Sequence, residues 1–155
     1  MISPEVLRRF PFFFGFDDSQ LKALAMIAEE QEIEPKSTLF EEGQPAQKFY
    51  LLLSGSVDLY VKSEEENNPA SRRDFAVGEV NPGEVFGIST LLEPYQYQVS
   101  ARSPLAGQMI EFDGVALRAL LQIDKGFGYQ LMLQTSKSLM SRLAATRVQL
   151  AAAWA

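Results

Sequence analysis

The sequence predicts a mainly β domain: a β-roll with helices before it and a long helix after it. Short stretches rich in β-branched and aromatic residues, broken by Gly, Pro, Asn and Ser, occupy residues 33–113. Apolar residues at helical spacing occur on either side, in residues 1–32 and 114–155. A chain of 155 residues with 46% hydrophobic residues can bury the core of one ordinary domain. We therefore expect residues 1–155 to form a single domain with these three parts.

The amino-acid composition argues against several kinds of active site. The chain contains no Cys and no His, which removes disulfides, thiolate nucleophiles, His-based acid–base pairs and imidazole metal ligands. We therefore expect a protein that is not an enzyme and that holds no metal or resident cofactor. The formal net charge of -6 gives no overall attraction to a phosphate backbone, which disfavours nucleic acid as a partner.

Neither a membrane span nor a secretion signal is evident in the sequence. No stretch approaches the roughly 20 apolar residues that a membrane-spanning helix requires. The N-terminus lacks the ordered regions of a secretion signal, and Pro11 and Gly15 interrupt its apolar run. We expect a cytoplasmic protein.

The N-terminal segment predicts a packing helix from Asp17 to Glu30. It begins with acidic and Ser residues, which are suited to capping a helix. Four apolar residues then fall on one helical face: Leu21, Leu24, Ala25 and Ala28. This face is typical of a helix that covers a core and has no chemical role.

The central segment predicts short strands in a sandwich or barrel. The pair Ser54-Gly55 separates two apolar runs, which indicates either a hairpin or a bend forced by glycine. Residues 63–73 are polar, include a Pro and lack periodicity, so they predict a solvated loop. Residues 95–99 alternate as a half-buried strand does.

The C-terminal segment predicts a short helix followed by a long one, with Gly126 and Gly128 at the joint. Lys137, Ser141 and Arg142 fall largely outside the apolar face of the long helix. That face comprises Leu139, Met140, Leu143, Ala144, Val148, Leu150, Ala151 and Trp154. Such a face must be buried, and we expect a homodimer in which it contacts a second copy, with Leu139, Leu143, Leu150 and Trp154 as the dimer residues.

Charge is segregated along the chain. All 20 acidic residues lie before residue 125, whereas residues 125–155 contain four basic residues and no acidic one. We expect this basic helix to pack on an acidic body or on the helix of a second copy; the alternative is attraction of an anionic partner.

Two long strings follow one ordered pattern: "EEGQPAQKFYLLLSGSVDLYV" and "VNPGEVFGISTLLEPYQYQVSARS". The pattern resembles the cyclic-nucleotide-binding domain of catabolite-type bacterial regulators, protein kinase A regulatory subunits and gated channels. The resemblance extends over nearly the whole chain, because residues 10–33 look like the helical entry of that family. The matching positions are Gly43, Tyr50, Gly55 and Val57 in the strands and turns, and Pro82, Gly83, Phe86 and Gly87 at the approach to the phosphate-binding cassette.

The resemblance implies an eight-stranded β-roll (a double-stranded β-helix, or jelly roll) and a final helix that often dimerises. It also implies a cassette whose backbone N–H groups and short helix bind a cyclic phosphate, with Gly87 permitting close approach. In the family, a Glu after the Phe-Gly step binds the ribose hydroxyl, and a later Arg binds the phosphate. Here Ile88 replaces the Glu, and the Arg position falls at Tyr95 or Gln96.

These replacements predict weak or no binding of cyclic AMP and cyclic GMP. A buried phosphate without its cationic partner costs roughly 3 to 5 kcal/mol, or about two to three powers of ten in affinity. Arg102 is the nearest other guanidinium, and its direction on an alternating strand is open. The candidate ligand-binding residues are Phe86, Gly87, Ile88, Ser89, Thr90, Tyr95, Gln96, Tyr97 and Gln98.

Two hypotheses for this pocket remain open. Its hydroxyl, amide and aromatic groups are compatible with a different small ligand; alternatively, the tyrosines and Ile88 fill the space. Accordingly, we expect either a sensory module that signals through its terminal helix to a protein partner, or a structural dimerisation domain. No helix-turn-helix segment follows the terminal helix in this sequence, so we expect no direct DNA binding.

Overall fold

The computed structural model describes residues 1–62 and 74–155. The loop predicted at residues 63–73 lies outside the described residues. The helices are α1 (Pro4–Arg8), α2 (Asp18–Met26), α3 (Gly114–Ile123) and α4 (Lys125–Ala153), with short 3-10 helices at Pro11–Phe13 and Ile88–Leu91. The strands are β1 (Ala28–Ile33), β2 (Ser37–Phe40), β3 (Lys48–Ser54), β4 (Val57–Lys62), β5 (Asp74–Val80), β6 (Val85–Phe86), β7 (Ser100–Ser103) and β8 (Gly107–Asp113).

The strands form two antiparallel four-stranded sheets, and the predicted mainly β fold with flanking helices is confirmed. One sheet has the order β1-β8-β3-β6 and the other has the order β2-β7-β4-β5. The bend at Gly55 has φ +92°, a left-handed conformation that glycine adopts without strain. It directs the chain from β3 in the first sheet to β4 in the second, so the bend forced by glycine is confirmed and the hairpin is wrong.

The N-terminal helix is shorter than predicted. It begins with a capping box, in which the Asp17 carboxylate accepts from the Gln20 amide and the Gln20 side chain accepts from the Asp17 amide. It ends at Met26, because Ala28–Ile33 pairs along β8 as an edge strand. Only the two ends of that strand are buried, and its polar middle is exposed, so no alternation revealed it. The predicted boundary at residue 33 is therefore too late.

Two apolar clusters make up the core. One lies between the β1-β8-β3-β6 sheet and the helices, and it includes Phe13, Phe112 and Phe127. The other lies between the two sheets and includes Tyr50 and Phe86. We call residues 86–98 the cassette. Phe86 and Tyr97 of this segment belong to the second cluster, which therefore packs directly beneath it.

The joint between α3 and α4 lies at Asp124, so its predicted position at Gly126 and Gly128 is wrong. The Asp124 carboxylate accepts from the Phe127 amide at 3.0 Å and caps α4. Both glycines lie in the first turn of α4. A Cβ at Gly128 would approach the Leu121 carbonyl oxygen to 3.2 Å, so this glycine permits close packing of α4 on α3.

Beyond Leu139, the large apolar side chains of α4 are exposed to solvent. Phe127, Leu131 and Thr135 are buried near the start of the helix. Farther along, Met140 is 72% exposed and Trp154 is 84% exposed. The predicted apolar face is thus present but uncovered in a single chain. Among the described residues, no helix is long and apolar enough to cross a membrane.

Candidate ligand-binding pocket

A cavity of about 630 Å³ lies between the cassette, the β2-β7-β4-β5 sheet and α4. Most of its wall is apolar: Phe40, Leu59, Val77, Phe86, Ile88, Leu92, Pro94, Val99 and Leu139. Its other lining residues are Gly87, Ser89, Glu93, Gln96, Tyr97, Gln98, Arg142 and Thr146. A cavity of this size and character is typical of a small-molecule site.

Seven of the nine predicted ligand-binding residues line this cavity, and Thr90 and Tyr95 do not. Thr90 is fully buried, and its hydroxyl donates to the Lys48 carbonyl at 2.7 Å. Tyr95 has a left-handed backbone, with φ +56°, and its ring lies 4.3 Å from the Arg118 guanidinium carbon. Thr90 therefore contacts β3 and Tyr95 contacts α3, and neither side chain faces the cavity.

Gly87 is required by packing against β3. Its φ is +73°, and a Cβ there would approach both the Lys48 carbonyl oxygen and the Tyr50 ring to 2.9 Å. The 3-10 helix Ile88–Leu91 follows at once, with the Thr90 amide donating to the Gly87 carbonyl at 3.2 Å. At Gly87 the cassette backbone therefore approaches β3 closely, whereas the close approach to a phosphate that the resemblance implies stays a prediction.

Stacked aromatic rings form the floor of the cavity. The Tyr97 and Phe40 ring centroids lie 3.8 Å apart, and those of Tyr50 and Phe86 lie 4.8 Å apart. The Tyr97 hydroxyl donates to the Lys48 carbonyl at 2.8 Å. Burial raises the pKa of Tyr97 and of Tyr50, so both remain neutral phenols at physiological pH. Phe40, Phe86, Tyr97 and Ile88 line the cavity and leave about 630 Å³ open beside them, which favours the hypothesis of a small ligand over that of a side-chain-filled pocket.

Neither Arg102 nor Arg118 is a lining residue of the cavity. Arg102 pairs with Asp74 at 3.1 Å, and its guanidinium carbon lies 4.1 Å from the Tyr60 ring centroid. Arg118 donates to the Thr90 carbonyl at 3.0 Å. The Arg102 side chain thus points toward Asp74 and Tyr60 and not into the cavity. It does not replace the cassette arginine that this chain lacks.

Among the described residues, the cation that lines the cavity is Arg142 from α4, a residue expected from sequence to lie largely outside the apolar face. It is partly buried, and its guanidinium donates to the Val85 carbonyl. Burial lowers the pKa of Arg142, and the nearby Glu84 carboxylate opposes this change; the group remains a cation, as arginine does in proteins. Leu139, Arg142 and Thr146 are three and four residues apart, so they share one helical face. The sequence carries this spacing but no sign that the face lies against the cassette.

Comparison with known proteins gives the following matches. Residues 30–124 match the family model described as the cyclic nucleotide-binding domain. A solved structure from Geobacter metallireducens GS-15, described as a cyclic nucleotide-binding protein, is 35% identical to this chain with a TM-score of 0.80. That match covers 92% of this chain and 99% of the other. The sensor domain of the transcriptional regulator DNR from Pseudomonas aeruginosa has the same fold, with 20% identity, a TM-score of 0.67, and coverage of 90% and 95%.

A curated relative is the CRP-like cAMP-activated global transcriptional regulator of Mycobacterium tuberculosis. It is 24% identical over 115 residues, which are 74% of this chain and 49% of the relative. This chain therefore spans about half the length of that relative. The family match, by contrast, covers more than half of this chain and includes the entire cassette. On this evidence, the chain belongs to the cyclic nucleotide-binding domain family.

Proposed function

We propose that this chain is a non-enzymatic, cytoplasmic sensory module that binds cyclic AMP and cyclic GMP weakly or not at all. Its ligand state is transmitted through α4. The observation that supports this proposal most directly is that α4 forms one wall of the cavity through Leu139, Arg142 and Thr146. A molecule in the cavity would contact the cassette and α4 together, so binding would bias the position of the helix.

The weak affinity for cyclic nucleotides follows from the side chains at the cassette. Ile88 presents an alkyl group where a ribose hydroxyl needs an acceptor, and Gln96 presents an amide where the phosphate needs a cation. The Mycobacterium tuberculosis relative is cAMP-activated by name. These two departures are the reason that we do not propose the same ligand for this chain.

Transmission through α4 requires a surface on that helix for a partner. Leu143 and Leu150 are about half exposed, at 48% and 58%, and Trp154 extends the same apolar region. We propose that a second copy of this chain covers this region, because a homodimer would bury it symmetrically. The alternative, a purely structural dimerisation domain, also uses this region but leaves the open cavity without a role.

Hydrogen exchange tests the coupling between the cavity and α4. We expect any compound that raises the Tm, from a panel of cyclic nucleotides and other anionic metabolites, to slow amide exchange across residues 137–150. Val99→Trp, which places a larger ring in the cavity wall, serves as the control and should abolish both effects. A compound that raises the Tm through the cavity without changing exchange in α4 would contradict the coupling. A panel without any stabilising compound would favour the structural alternative.

A further inference from the structure

Arg142 is a charged group in a mostly apolar cavity wall. Its guanidinium has five N–H donors, and the one acceptor that it reaches among the described residues is the Val85 carbonyl. No ion pair to Arg142 occurs within residues 1–62 and 74–155. A partly buried cation that lacks a carboxylate partner is stabilised by an anion that enters beside it.

Neither Glu84 nor Glu93 forms an ion pair with this cation. Glu84 favours the charged form of Arg142, but its carboxylate accepts from the Asn81 amide at 2.6 Å. Glu93 also lines the cavity, and its side chain is exposed to solvent. The cavity wall thus retains a positive end at α4, even though its cassette lacks the family's arginine.

Another part of the cavity wall is aromatic. Phe40, Phe86 and Tyr97 line it, and such a wall suits a planar group. Val99 and Leu139 add aliphatic surface to the wall. Amide groups at Gln96 and Gln98 supply neutral hydrogen-bonding sites at the rim. A suitable ligand therefore combines an apolar, planar body with one anionic group.

We infer that the cavity binds an organic anion with a planar apolar body, and that Arg142 of α4 binds its carboxylate, sulfonate or phosphate group. This inference rests on the proposed sensory function and names the class of ligand. The anion then lies against the helix that transmits the signal, whereas the cassette contributes shape and apolar contacts. Binding would form a charge-assisted hydrogen bond between the anion and Arg142, and would thereby act on α4 directly.

A pair of fluorescent dyes tests this inference: anilinonaphthalene sulfonate and the same dye without its sulfonate. The two share their aromatic body and differ in charge. We expect Arg142→Gln to weaken binding of the sulfonate dye about tenfold or more. Binding of the neutral dye should be unchanged. The matched control Arg147→Gln removes an exposed cation from the same helix and should change neither affinity, whereas Arg142→Lys should preserve most of the sulfonate affinity.

Val99→Trp separates failure of this inference from failure of the proposed function. Suppose that this variant loses both dyes while Arg142→Gln binds the sulfonate dye with wild-type affinity. The cavity then binds ligands, but Arg142 only donates a hydrogen bond to Val85. The inference would then be wrong, and the sensory proposal would stand. If Val99→Trp retains both dyes, they bind outside the cavity, which would contradict the inference and leave the sensory proposal to its own test. Thermal unfolding of each variant establishes that it is folded.

Discussion

The double variant Ile88→Glu with Gln96→Arg is expected to bind cyclic AMP at least about a hundredfold more tightly than the wild-type protein. Both positions line the cavity, and Gly87 already gives the cassette its left-handed turn against β3. The new carboxylate would accept from the ribose hydroxyl, and the new guanidinium would pair with the phosphate. Isothermal titration calorimetry of the two proteins measures the difference directly.

The matched control for this experiment is Ile88→Glu with Tyr95→Arg. Tyr95 does not line the cavity, and its ring stacks on Arg118, so an arginine there would face another guanidinium. We expect this control to bind no better than wild type. If the control binds cyclic AMP and the Gln96 variant does not, then the position of the family's cassette arginine is Tyr95 and not Gln96. If neither variant binds, the cassette differs from the family in backbone shape as well as in side chains.

Leu143→Asp is expected to convert a dimer into a monomer in sedimentation experiments. Leu143 lies within the uncovered apolar region of α4, between Met140 and Leu150. Contact with a second copy would stabilise the dimer by roughly 25 cal/mol for each Å² of apolar surface that it buries. A carboxylate in such an interface would lose its hydration without a partner.

Ser141→Asp is the control for the dimer prediction, because Ser141 is exposed on the same helix and lies outside the predicted apolar face. It adds the same charge as Leu143→Asp and should leave the dimer intact. Equal masses for the wild-type protein and Leu143→Asp would be incompatible with a dimer through this face. Loss of the dimer in both variants would point to general charge repulsion along α4 instead.

The main features of the fold could be predicted from the sequence because they depend on local chemistry. Gly55 separates two apolar runs, and only a glycine adopts its conformation cheaply. The sheet that each run joins is decided by distant partners, which is why a hairpin remained an open alternative. Similarly, the acidic strand Ala28–Ile33 has no alternating pattern of its own and is defined by its pairing with β8.

Site residues that belong to the cassette motif could be predicted from the sequence. Those that reach the cavity only through tertiary packing could not. Gly87, Ile88 and Gln96 were found from the cassette pattern, and each lines the cavity. Tyr95 is adjacent in sequence, but its backbone is left-handed and its ring lies against Arg118. Arg142 lies 44 or more residues from every cassette position. Its role depends on how α4 docks, which helical periodicity alone does not specify.

The most direct test of the central claim is a calorimetric titration of the wild-type protein with cyclic AMP. The claim is that this cavity has lost the cassette groups that hold a sugar phosphate, although its shape remains. We predict a dissociation constant weaker than about 10 μM, since the missing ion pair alone removes two or more powers of ten in affinity. Saturable binding in the nanomolar range would contradict the claim and show that other groups bind the phosphate.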